Sequence, residues 1–179
     1  IPAAAEEREP FPCDWSDIRG HAAVIARLRH LAVNGRLPHA LMLTGPEGVG
    51  KRRTARVLAR TLLCTAGGDA PCGHCDSCRT MAAGVHPDYF EVSPEARGKS
   101  AAMIRADAVR DILIAASESP RSADRRIILI DDVHCMNEVA ANRLLKTLEE
   151  PPATVLFLLV TSAWDAVLPT IRSRAVRIA

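Results

Sequence analysis

Leu41-Met-Leu-Thr-Gly45-Pro-Glu-Gly48-Val-Gly50-Lys51-Arg52 decides how this chain is read. Leu41–Thr44 is a short, largely apolar run with the length of a buried strand. Gly45, Gly48 and Gly50 turn the chain. Lys51 then opens a helical pattern reaching about Leu63, with Ala55, Leu58, Ala59 and Leu62 on its inner side. This is the GxxxxGK arrangement, in which glycines let backbone N–H groups converge on phosphate oxygens and the lysine brings a mobile positive charge. The helix N-terminus adds its dipole. The next residue is ordinarily Ser or Thr, whose hydroxyl ligates Mg²⁺. Here it is Arg52, and Thr54 comes two residues too late to replace it without shifting the turn. The stretch predicts a nucleotide cleft with Gly45, Gly48, Gly50, Lys51 and Arg52 around ATP or ADP, but without the usual side-chain oxygen for Mg²⁺.

Outward from this stretch, the bulk numbers fit a globular chain. Its 179 residues suit one domain carrying a small insertion and suffice to bury a core. Net charge is +2, too small to argue for nucleic-acid binding on electrostatics alone. No apolar run approaches the roughly 18 residues of a membrane helix and no signal peptide is visible, so the expectation is a cytoplasmic protein with no membrane partner. The chain starts at Ile1 and ends on an expected strand at Ala179, which reads as a fragment of something longer. Residues 1–12, rich in Ala, Glu and Pro without periodicity, are expected to be a disordered leader, leaving 13–179 as the folded domain.

Trp15-Ser-Asp-Ile-Arg-Gly20 precedes an amphipathic helix from about His21 to Asn34, stopped by Gly35. Core packing is the simpler reading of Trp15 and Ile18; the sharper one lays this segment over a nucleotide base. Asp88–Ser93 reads as a strand, 93–101 as a polar loop, and about Ile104 to Ser117 as a helix with Val109, Ile112, Leu113 and Ala116 inward. Arg126–Asp132 is an apolar strand ending in two carboxylates, as expected of a parallel strand covered on both faces with chemistry at its C-terminal end. At that end Asp131 is expected to help hold Mg²⁺, and Asp132 to stand at the base position that activates water. Asn137 caps a helix to about Glu149, stopped by Pro151 and Pro152. Val155–Val160 is another buried strand, closing on Thr161 and Ser162, and Pro169–Arg174 leads into a fifth at Ala175–Ile178. This alternation predicts an α/β, doubly wound, three-layer sandwich with right-handed crossovers.

Between the phosphate-loop helix and the second strand lie Cys64, Cys72, Cys75 and Cys78, spaced C-x7-C-x2-C-x2-C. Four thiolates at this spacing match tetrahedral zinc, and the intervening Gly and Pro permit tight turns. Disulfides are the alternative, but they need an oxidising compartment that nothing else in the chain supports; cysteines that only pack are another. The insert is taken as 64–80 and the zinc as structural, because four protein thiolates leave no position for water. His74 sits inside a knuckle and is expected to be exposed. Cys13 and Cys135 are spare thiols without an evident role.

Taken together, Leu37-Pro-His-Ala-Leu-Met-Leu-Thr-Gly-Pro46, the four-cysteine insert, Ala140-Ala-Asn-Arg-Leu-Leu-Lys-Thr-Leu-Glu-Glu-Pro-Pro152 and Ser173-Arg174 resemble the AAA+ domain of bacterial clamp-loader subunits. The likeness covers roughly Trp15–Ile178. It implies an AAA+ P-loop NTPase fold, with a five-stranded parallel sheet in the order 5-1-4-3-2, helices on both faces, and helical lid and collar domains that would follow the present chain. It also implies a component of the DNA polymerase III holoenzyme, a nucleotidyltransferase assembly. Its partners would be delta and gamma/tau subunits in a hetero-oligomeric ring, with the sliding clamp and primer-template DNA reached through the complex.

Two subunit types share these features: the gamma/tau motor, which hydrolyses ATP, and the delta-prime stator, with little or no hydrolysis of its own. Arg52, Asp132 in place of the motor's Glu, and Ala140-Ala-Asn142 in place of Ala-Phe-Asn lean toward delta prime. The motor remains the alternative. The resemblance casts Arg174 as an arginine finger offered in trans to a neighbour's γ-phosphate, and Thr161 or Ser162 as a sensor of that phosphate. Arg172, Arg174 and Arg177 as a solvated basic edge is the plainer reading, and Ala175 stands where the family has Cys. Two readings from other classes fare worse. A zinc-stabilised DNA-binding module would need basic and aromatic residues interleaved in the insert, which is instead flanked by Gly, Asp and Ala and lacks that interleaving, and nothing specific speaks for a stand-alone helicase or remodeller.

Overall fold

The structure, a computed structural model, describes residues 10–179. Five all-parallel strands form its centre: β1 (Ala40–Thr44), β2 (Tyr89–Val92), β3 (Arg126–Ile130), β4 (Val155–Thr161) and β5 (Val176–Ile178). Their spatial order is β2-β3-β4-β1-β5, which is the expected 5-1-4-3-2 read from the opposite edge. β1, β3 and β4 are buried at every position. That explains why they read as unbroken apolar runs rather than alternating ones.

Alternate residues of these strands feed two separate cores. Met42, Ile128, Ile130, Phe157 and Leu159 face α4 (Ala106–Ser117), α5 (Glu138–Glu149) and the short α6 (Pro169–Arg172), through Val109, Ile112, Leu144, Leu148 and Ile171. Leu41, Leu43, Ile127, Leu129 and Leu158 face α1 (Ala22–Asn34), α2 (Lys51–Leu63) and α3 (Asp76–Ala82), through Leu28, Val57, Leu58 and Met81. The result is the three-layer sandwich expected, with the C-terminal ends of β1, β3 and β4 aligned on one rim.

Several boundaries differ from the sequence reading. The cysteine insert contains a helix, α3, that reaches Ala82 and so extends past residue 80; its short length and Cys75 at the N-cap hid it among turn residues. The helix expected from Ile104 begins at Ala106, because Ile104 is held in a bridge to Met136. Residues 1–9 of the expected leader lie outside the described residues, but Phe11 and Pro12 correct its end. The Phe11 ring meets Tyr89 edge-on at 5.9 Å, and the Pro12 carbonyl accepts from Arg60 at 3.2 Å. The folded domain therefore starts before Cys13.

At the rim opposite the phosphate loop, Arg126 and Asp88 form a buried ion pair, 1% and 0% exposed, with Nε 3.4 Å from Oδ1. The backbone N–H groups of Arg121, Ser122 and Ala123 donate to the Asp88 carboxylate. Burial pushes that carboxyl up, but these donors outweigh it and hold it below the usual range. Arg126 also donates to the Ala115 carbonyl and lies over Phe90. Removing one partner strands the other's charge, so Asp88→Ala is expected to cost about 3–5 kcal/mol in urea unfolding.

Beside this pair, His86 is nearly buried, accepts from the Asp88 N–H at Nδ1, and meets the Ser77 hydroxyl at 3.0 Å. Burial lowers its pKa. A histidine depressed this way contributes stability that is fully present above the unfolded value of about 6.5 and is lost as pH falls through the folded value. The unfolding temperature is therefore expected to fall as pH drops from 7 toward 5, and His86→Gln to flatten that part of the curve.

Candidate functional site

The phosphate loop leaves the end of β1 and enters α2 through Gly50 at φ +90°. A Cβ at Gly48 or Gly50 would meet no atom within 4 Å, so the requirement for glycine here is conformational rather than steric. The loop forms one wall of a cleft of about 600 Å³, lined by Gly48, Val49, Gly50 and Arg53 on one side and by Ser16, Asp17, Ile18 and Arg19 on the other. The segment after Trp15 does therefore lie across the loop. Trp15 itself is buried and its indole N–H donates to the Asp69 carbonyl at 2.8 Å, so it serves packing while its neighbours line the cleft. Lys51 Nζ donates to the Pro46 carbonyl at 2.6 Å.

Arg52 turns across the end of the sheet. Its Nε lies 2.7 Å from Glu91 Oε1 and 3.7 Å from Asp131 Oδ2. Glu91, on β2, also receives Arg56 at both oxygens and the Tyr89 hydroxyl at 2.8 Å. Burial would raise the Glu91 carboxyl, but Arg56 first, then Tyr89 and Arg52, hold it below the usual range. Asp131 goes the other way: burial and then Asp132 push its carboxyl up, and Arg52 only partly opposes them. Asp132 takes a left-handed φ of +47°. The Thr54 hydroxyl is committed to the Gly50 carbonyl at 2.9 Å, so it does not replace the missing ligand.

Residues that would fit Mg²⁺ are thus not assembled. That ion wants near-ideal octahedral oxygen ligation, and the position beside Lys51 offers a guanidinium bonded to Glu91 and 3.7 Å from the Asp131 carboxylate that would bind it.

At the end of β4, Thr161 is fully buried, and its hydroxyl meets His134 Nδ1 at 2.8 Å and accepts from the Ala163 N–H at 3.0 Å. Arg174 sits just past α6. Its partners are the Thr170 carbonyl at 3.4 Å, the Ser173 hydroxyl at 3.3 Å and Glu149 Oε1 at 3.3 Å, with its side chain 37% exposed. None of these belongs to the phosphate loop. Arg172 and Arg177 behave differently: both lie over the Trp164 ring, at 5.3 and 4.3 Å, and Arg177 donates to the Thr44 hydroxyl. The three arginines are not one uniform basic edge.

The four insert cysteines converge. Their sulfurs all lie within 4.8 Å of one another, with 3.9 Å between Cys64 and Cys75 and between Cys72 and Cys78. A tetrahedron with Zn–S bonds of about 2.3 Å has edges of about 3.8 Å. A disulfide needs about 2.05 Å, so the disulfide alternative fails. Backbone N–H groups of Cys72, Cys75 and Cys78 point at the sulfurs of Cys64, Cys72 and Cys75. Burial pushes the Cys78 thiol up to about 12, a cost that a cation at the centre offsets. Burial also acts to raise Cys75, but hydrogen bonds from Thr65 and the Cys78 N–H outweigh it and bring it down to about 5. His74 is exposed and reaches the Cys72 carbonyl rather than the cluster. The set fits a tetrahedral soft metal.

Sequence reasoning missed Glu91, Arg56, Glu149, His134 and Trp164. The available signal was weak: a carboxylate between Phe90 and Val92 in β2, a residue type that strands disfavour but that an edge strand tolerates.

A family model described as "DNA polymerase III, delta subunit" matches residues 20–179. This chain belongs to that family. Among curated members of the DNA polymerase III group, subunit delta' of Pseudomonas aeruginosa is 42% identical over 140 residues, covering 78% of this chain and 42% of that protein. Subunit delta' of Escherichia coli is 40% identical over 141 residues, 78% and 41% of the two chains. Subunit tau of Salmonella typhimurium is 38% identical over 167 residues, 93% and 25%. The chain therefore spans less than half the length of these relatives. Among solved structures, a gamma subunit-related protein of Thermotoga maritima superposes with a TM-score of 0.64 at 24% identity, over 86% of this chain and 44% of that one. The RuvB branch-migration motor of the same organism gives 0.58 at 19%, over 94% and 47%. These two establish the AAA+ fold. Among the described residues, no helix is long and apolar enough to cross a membrane.

Proposed function

We propose that this chain is the AAA+ portion of a delta-prime stator in the bacterial DNA polymerase III clamp loader. The observation that carries the proposal is Arg52, held at 2.7 Å by Glu91 and reaching Asp131, where a hydrolytic cleft keeps a magnesium-binding hydroxyl. With Asp132 a methylene short of the motor's carboxylate, both parts of the phosphoryl-transfer machinery are altered. The cleft keeps Gly45, Gly48, Gly50 and Lys51, which supports retained binding of ATP or ADP with weak or absent turnover.

Arg174 is cast as the arginine finger. Its guanidinium, exposed and loosely bonded, can spread charge over phosphoryl oxygens on a neighbouring motor subunit. Thr161 is the sensor candidate, its hydroxyl oriented by His134. Cys64, Cys72, Cys75 and Cys78 hold a structural zinc. Delta and gamma/tau subunits are the partners, with the sliding clamp and primer-template DNA engaged through the complex in the cytoplasm.

The gamma/tau motor is the second reading, favoured by the 38% identity to tau over more of the chain. Phosphate release from ATP by the purified chain with Mg²⁺ separates the two. The stator reading expects a rate at least about a hundredfold below that of a motor subunit, the scale of loss that misplaced catalytic groups produce. Brisk turnover by this chain alone would assign it to the motor.

A further inference from the structure

We propose that the Arg52 guanidinium takes the place of the divalent cation in the cleft, so that the site accepts a nucleoside polyphosphate free of metal. The inference rests on the reading of this cleft as a nucleotide site, and it names the form of ligand that site takes. Three observations converge on it. First, Arg52 occupies the first turn of α2, directly after Lys51, and its Nε lies 3.7 Å from Asp131 Oδ2, the carboxylate at the end of β3 that a metal would need. Second, its Nε is held 2.7 Å from Glu91 Oε1, and Glu91 is itself clamped by Arg56 and Tyr89, although the Arg52 side chain stays 38% exposed. Third, the Thr54 hydroxyl, the nearest in sequence to the missing ligand, is bonded to the Gly50 carbonyl.

Charge leads to the same conclusion. Glu91 is matched by Arg52 and Arg56, while Asp131, pressed by the neighbouring Asp132, is offset only in part by Arg52, so the positive charge nearest Asp131 before any ion arrives is this guanidinium. A divalent cation at Asp131 would have to approach a guanidinium whose Nε already lies 3.7 Å from that carboxylate. A metal-free phosphate chain meets no such obstacle. Its charge is offset by Lys51, by the backbone N–H groups of the loop, and by the edge of Arg52 not engaged with Glu91. Guanidinium is well suited to this role, being planar, permanently charged and more weakly hydrated than Mg²⁺, so it needs no shell of ordered water to sit between carboxylate and phosphate.

The test is calorimetric titration of the purified chain with ADP, first in excess EDTA and then in millimolar Mg²⁺. The expected result is binding in EDTA, with Mg²⁺ leaving the affinity within about threefold or weakening it, because Mg²⁺ must be stripped from ADP before the nucleotide enters. Arg52→Thr is expected to invert this, with Mg²⁺ improving its affinity at least tenfold. Mn²⁺ titration followed by electron paramagnetic resonance gives a readout that needs no nucleotide: the unchanged chain is expected to show no Mn²⁺ site that Asp131→Asn removes. Tightening by Mg²⁺ of tenfold or more in the unchanged chain, or an Asp131-dependent Mn²⁺ site, overturns the inference while leaving nucleotide binding intact. Absence of ADP binding in both buffers removes the nucleotide reading, and the inference with it.

Discussion

Arg174→Ala is expected to lower ATP turnover at the interface it serves by about 10³–10⁵-fold, the range for an arginine supplied in trans. The measurement is phosphate release from the reconstituted clamp loader, with any other motor sites silenced at their phosphate-loop lysines. The geometry makes this a clean experiment. Arg174 and Glu149 are 37% and 46% exposed, so their pairing is worth at most a few tenths to about 1 kcal/mol, and the variant should fold and assemble normally. Arg174→Lys should recover little, because an ammonium lacks the planar fork that spans two phosphoryl oxygens. Turnover within threefold of the unchanged complex would sink the trans role.

The second large effect concerns the cysteine cluster. One equivalent of zinc is expected in the reduced chain, and Cys78→Ala should abolish it. Structural zinc carries about 10–16 kcal/mol of apparent binding energy near neutral pH, far more than a short insert with one helix of seven residues could replace by packing. The damage should not stay local. Ser77 donates to the Leu63 carbonyl and meets His86, and the Trp15 indole is anchored on Asp69, so the insert ties α2, β2 and the cleft wall together. Loss of the cluster is expected to lower the unfolding temperature by about 10 °C or more, at roughly 2–4 °C per kcal/mol for a chain of this size. Rapid amide exchange should appear across residues 64–82. A metal-free chain with an unchanged melting curve would rule out the structural role.

How much of this was legible in the sequence follows from what each pattern reports. Strands β1, β3 and β4 were plain because burial on both faces leaves a continuous apolar run, and α2 was bounded to the residue by Gly50 and Cys64. α3 was not legible: seven residues beginning Asp-Ser-Cys give no apolar period, and the helix depends on the cysteine cluster to hold its start. Within the site, the identity of Arg52 was readable and its abnormality clear, but its partner was not. Glu91 lies 39 positions away, brought alongside only by the pairing of β2 with β3. Arg174 was found from a two-residue motif, whereas the reason it differs from Arg172 and Arg177 needed coordinates.

That difference has a consequence for how a neighbour meets this edge. Three guanidiniums within six residues would ordinarily compete for any approaching anion, and a wrong one could dock first. Trp164 distinguishes them: Arg172 and Arg177 both lie over its ring, and Arg177 also donates to the Thr44 hydroxyl, whereas Arg174 has no aromatic contact and only its loose polar partners. An aromatic side chain outside the phosphate loop thereby sets which of the three cations is the least tethered.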